Sequence, residues 1–99
     1  MICISLAGKL ISEVRTRTRS GGVECAQFTV ETDDQDRSSL PLRFEIIAFG
    51  VQAERAAIFL KTGTPVNLFG RMSAGGDSKK VIVQLSVFEI QQGVSADGN

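Results

Sequence analysis

Apolar and polar residues alternate with period two along most of this chain, the pattern of strands with one face buried. Ile2, Ile4 and Leu6 share one side of residues 2–7, and Ala26, Phe28 and Val30 share one side of Glu24–Thr32. Phe44, Ile46 and Ala48 oppose Arg43, Glu45, Ile47 and Phe49 across a strand at Leu42–Phe49. Val66, Leu68 and Gly70 alternate in the same way with Asn67, Phe69 and Arg71, and a long last strand follows at Val81–Ile90. The period changes once. From Val51 to Lys61, Ala53, Ala56, Ala57 and Leu60 fit one stripe of a short helix, with Gly63 as its C-terminal cap.

Glycines and polar clusters punctuate these elements. Gly8 interrupts the first strand and predicts a bulge or bend, after which Lys9–Val14 runs into Arg15-Thr-Arg-Thr-Arg19. If that segment is extended, its three arginines share a face. Ser20-Gly21-Gly22 predicts the turn of a hairpin, Asp33–Ser39 a polar connecting loop and Gly75-Gly76-Asp77 another turn. Three strands, a helix and two strands, with a first strand long enough to bend and pair in both halves of a closed sheet, describe an OB-fold. The expected class is all-β with one short helix: a five-stranded Greek-key barrel, the helix between strands three and four. It occupies residues 1–91, and 92–99 form a flexible tail.

Composition narrows the function classes. A chain of 99 residues that is 42% apolar suits one domain with its own core. No apolar run approaches the ~20 residues that cross a bilayer, and no basic and apolar leader opens the chain, so the expected location is cytoplasmic and not the membrane. With no histidine the commonest general base is missing, and two cysteines make neither a disulfide framework nor a zinc site. Cys3 and Cys25 read as buried thiols. Neither an enzyme nor a cofactor is expected. Eleven basic and eleven acidic residues cancel, but unevenly: Lys9, Arg15, Arg17 and Arg19 predict a basic edge, and Glu31, Asp33, Asp34 and Asp36 an acidic, solvated loop.

Binding single-stranded nucleic acid without sequence preference needs cations along a groove and aromatic faces for the bases. Arg15, Arg17, Arg19, Arg43, Arg71, Lys79 and Lys80 are the candidate cations, and Phe49 and Phe69 lie on the same alternating faces as Arg43 and Arg71. Phe28 and Phe44 read as core. For Phe49 and Phe69 the pattern allows a stacking platform, a subunit interface or packing, for Phe88 packing or an interface. The Arg-Thr repeat could equally be a solvated strand edge that discourages aggregation.

The motif order Ile4–Leu10, Gly21–Glu31, Ile47–Glu54 and Leu60–Arg71 resembles the bacterial single-stranded DNA-binding protein superfamily over residues 2–90, and within it the short, dimeric primosomal replication protein N branch. The absence of an acidic, phenylalanine-ended tail points towards that branch. The resemblance implies an OB-fold that binds single-stranded DNA as a homodimer or tetramer, needs no cofactor, and serves DNA replication or replication restart alongside a helicase and its loader. By position it implies a stacking role for Phe49, DNA contacts for Lys79 and Lys80, and places for Lys9 and Arg71 on strands bordering the groove. A protein–protein adaptor on the same barrel, using Phe69, Phe88 and strand edges, is the alternative.

Overall fold

Where the apolar alternation runs, the chain is extended. The computed structural model describes residues 1–32, 41–74 and 81–91. Its elements are β1 (Ile2–Leu10), β2 (Arg15–Arg19), β3 (Gly22–Thr32), β4 (Arg43–Phe49), α1 (Gly50–Phe59), β5 (Pro65–Ala74) and β6 (Val81–Ile90). The expected loop at Asp33–Ser39, the turn at Gly75–Asp77, Lys79, Lys80 and the tail 92–99 lie outside the described residues.

The strands hydrogen-bond in the order β1-β5-β6-β4-β3-β2, and β1 also pairs with β3, which closes the sheet. All neighbours are antiparallel except β4 and β6, which run parallel. β1 and β2 are two halves of one long first strand. β1 pairs along β5 through Lys9 and meets β3 at Gly8–Leu10, while β2 continues down the same edge of β3. The result is a closed five-stranded barrel with one helix, an OB-fold.

Alternation fills the interior. Leu10, Ala26, Phe28, Val30, Ile46, Ala48, Val66 and Val83 are fully or almost fully buried, and α1 adds Ala53 and Ala56 from the end of the barrel. Small residues on the helix let it sit close to β3, its main neighbour. Phe44 is half-buried against this cluster, and Phe88 is buried in it with the Arg55 guanidinium 4.6 Å above its ring.

Several expectations change. β1 has no bulge or break at Gly8, although the first strand does pair in both halves of the closed sheet as expected. Gly8 is the residue at which β1 passes from β5 to β3, and a Cβ there would strike the backbone carbonyl of Glu31 and come 2.9 Å from Val30 Cγ1. The strand breaks later, at residues 11–14, where Ser12 Oγ accepts the Thr29 N–H (3.0 Å) and the Ile11 N–H reaches the Thr29 carbonyl (3.0 Å), so β3 stays satisfied across the gap. The helix ends at Phe59 with Leu60 as its cap, not at Lys61. Gly63, at φ +94°, serves the turn after it, closed by the Thr64 N–H on the Lys61 carbonyl at 3.0 Å.

The thiols are not buried: Cys3 is exposed and Cys25 half-buried. Both occupy the outward parity of their strands, Cys3 with Ser5 and Ala7, Cys25 with Gln27 and Thr29. Among the described residues no helix is long and apolar enough to cross a membrane.

Candidate nucleic-acid interface

Residues paired across neighbouring strands point the same way, so the outward side chains of the barrel fall into rows. From β1 through β3 to β4, one row reads Lys9, Glu31, Arg43. The next sets Thr29 beside Glu45. The third reads Arg15, Gln27, Ile47 from β2 to β4, and the fourth Arg17, Cys25, Phe49. Strands lie ~4.8 Å apart, so the backbones carrying Arg17 and Phe49 are separated by roughly 10 Å, with one small side chain between them.

Phe49 ends β4 just where the chain turns into α1, and 49% of it stays exposed. The side chain is thus half open to solvent on the face that also carries Arg17. Arg17 is exposed and makes no ion pair with another described residue. The backbone of Arg19 follows a register slip between Arg17 and Thr18 and pairs with Gly22. Arg15 and Arg43 are each held by a carboxylate: Arg15 Nη2 donates to Glu45 Oε2 and Arg43 Nε to Glu31 Oε2, both at 3.2 Å. Thr29 Oγ1 donates to the second oxygen of Glu45, also at 3.2 Å.

Lys9, Arg15, Arg17, Arg43 and Phe49 thus come together on the β1–β3–β4 wall with β2. Phe69 and Arg71 do not join them. They point outward from β5, with β6 between them and β4, and closure of the barrel turns that part of the wall away. The third row connects the two parts, running on from Ile47 through Gln84 to Arg71 and Cys3. Phe69 lies between Ser5 and Val87 at a shallow apolar hollow.

A wall with cations at both ends and a ring at one can neutralise phosphates and stack a base. The model of the single-strand binding protein family matches residues 1–92. The chain belongs to this family. No curated protein sequence matches it. Solved structures similar to this family member include a small single-stranded DNA-binding protein of Streptomyces coelicolor, 15% identical, with 96% of each chain covered and a TM-score of 0.76. The second single-stranded DNA-binding protein of Mycobacterium smegmatis is 17% identical over 90% of this chain and 87% of its own, with a TM-score of 0.78. The mitochondrial single-stranded DNA-binding protein Rim1 of S. cerevisiae is 12% identical over 90% and 92%, at 0.74. At these identities the likeness is one of fold.

Alternation in the sequence sets Glu45 and Ile47 on the face of Arg43 and Phe49 but does not reveal the carboxylates that hold the family member's Arg15 and Arg43. Parity alone puts Glu45, Gln27 and Ile47 on the wall. Glu31 reads in sequence as the first of an acidic cluster, whereas it is the outward residue of β3 beside Arg43.

Proposed function

We propose that this chain binds single-stranded DNA without sequence preference, through the wall that carries Lys9, Arg15, Arg17, Arg43 and Phe49. The observation that carries the reading is the row Arg17–Cys25–Phe49, which puts an exposed arginine with no ion pair among the described residues and a half-exposed ring on the same face of the wall. Family membership supports the same ligand class. The function is binding, with no catalytic step and no cofactor.

The wall works in a homodimer. On the side facing away from β5, residues 2–7 of β1 have no strand partner among the described residues, and Ile2 is 62% exposed there. An open antiparallel edge of that length is completed most simply by its own copy about a two-fold axis. Phe69 and Arg71 extend the contact beyond the central wall, and we propose Arg19, Lys79 and Lys80 as further contacts to the same ligand. The cellular role we propose is accessory to DNA replication or replication restart, with the restart helicase and loader as protein partners, in the cytoplasm. The hollow at Phe69 and Val87 favours a second reading, a barrel that serves chiefly as a protein adaptor.

The chain has neither tryptophan nor tyrosine, so binding is read from a labelled dT oligonucleotide by anisotropy. The expected result is binding at low salt that weakens as salt rises, because neutralised phosphates release counterions. Folded protein that fails to bind at low salt would leave the adaptor reading. Phe49→Ala is expected to weaken binding about tenfold, about 1–2 kcal/mol of stacking, on every base composition. Sedimentation with and without the oligonucleotide tests the dimer: a monomer at tens of micromolar protein contradicts it.

A further inference from the structure

Two cations of the proposed interface already hold anions. Arg15 reaches across β3 to Glu45, and Arg43 contacts Glu31 directly across the β3–β4 ladder. Both carboxylates lie on the outward side, and one of them sits between Lys9 and Arg43 in its row. We propose that Glu31 and Glu45 occupy the phosphate positions of Arg43 and Arg15, so that a strand enters by exchanging phosphate for carboxylate, and the two glutamates set the affinity and salt dependence of the wall.

The inference rests on the nucleic-acid reading of this wall, and three features carry it. Each arginine spends a single N–H on its glutamate, at 3.2 Å, longer than the 2.7–2.9 Å usual for a tight charge-assisted bond. The arginine side chains are 64% and 69% exposed, against 30% and 25% for the glutamates, so the guanidiniums keep N–H groups for a second acceptor. Exposed pairs of this kind are weak and exchange readily. Glu45 is anchored more firmly than Arg15, because Thr29 Oγ1 also holds it. A carboxylate fixed in the wall stays beside an arriving phosphate and repels it even after the arginine has turned to the new partner. That favours attenuation over simple positioning of the arginines.

The test compares the wild-type protein with E31Q, E45Q and the double variant, all checked by thermal melting, on a labelled dT oligonucleotide across a salt series. Glutamine keeps the shape and one acceptor oxygen, removes the charge and replaces the other oxygen by an amide donor. Each single variant is expected to bind about threefold tighter at low salt and the pair about tenfold. The log–log salt slope of the double variant should steepen by up to about 1.4, at ~0.7 per regained phosphate contact on a single strand. A second measurement guards the result: Arg15→Ala in the E45Q background should abolish the gain, because without Arg15 there is no phosphate contact for the lost carboxylate to release. Glutamine variants that bind as the wild type does, or more weakly, with an unchanged slope, would overturn the proposal. If neither the wild type nor any folded variant binds at low salt, the interface reading itself fails and this proposal with it.

Discussion

Alanine at Gly8 is expected to cost about 4 kcal/mol of stability, most of what a small domain holds in reserve. The backbone of Gly8 is not in the left-handed region, so glycine is required there for space and not for conformation. Its absent Cβ is what allows β1 to lie against the Glu31 carbonyl while still paired with Val66 of β5. A methyl group must push β1 off β3, and since the obstacle is backbone it cannot be relieved by a side-chain rotation. The seam then loses hydrogen bonds as well as contact, at about 1 kcal/mol each. Urea denaturation measures this directly: the midpoint should fall with little change in slope, and a loss below about 1 kcal/mol would show that the seam yields more easily than its geometry suggests. Lys9 and Glu31 face each other one residue further along. A barrel that opens at Gly8 should therefore also lose DNA affinity.

Phe28→Ala should be equally costly for the opposite reason. The ring is completely buried, pairs across β3 and β4 with Ile46, and heads the set of large enclosed side chains. Removing it takes away its burial and leaves a cavity that strands tied on both sides cannot collapse to fill, about 3–5 kcal/mol in comparable cores. Gln27 and Thr29 on either side of it point outward. At temperatures where the variant remains folded, its affinity for a dT oligonucleotide should match the wild type within about twofold. A large loss of affinity in the folded variant would mean that the wall depends on core packing more than its rows imply.

The strands were legible because a half-buried ladder imposes period two on the sequence wherever it runs. Phe28, Ile46 and Val66 announce their faces without reference to any partner. What pairing decides was less legible. Gly8 looks like an interruption because glycine has two common uses in strands, and only the position of Glu31, more than twenty residues away, shows that this one serves close approach. The true break at residues 11–14 is mended by the Ser12 hydroxyl and the Ile11 N–H, which no periodicity records. The helix end followed the same logic, since Leu60 is buried whether or not the helix includes it. The two cysteines misled by residue type: a thiol is usually inside, but strand parity outranks that preference. On the wall, the cations and Phe49 could be read from parity, whereas the ion pairs could not, because Arg15 and Glu45 meet across a strand that separates them by thirty residues.

The hydrogen bonds that tie the turn after α1 to β1, from the Leu10 N–H to the Thr64 carbonyl at 3.0 Å and from the Gly63 N–H to the Leu10 carbonyl at 2.8 Å, set an order of events. The first strand leaves the ribosome long before the segment that it must meet. Its β2 half can form a hairpin with β3 at once and Gly8–Leu10 can join the same strand, but residues 2–7 wait for β5. Closing so large a loop is what slows the folding of barrels of this kind. In that interval the nascent protein is an open sheet with the Ile2–Leu6 face uncovered, and its exposure to chaperones and to other chains is governed by how quickly residues 63–66 arrive.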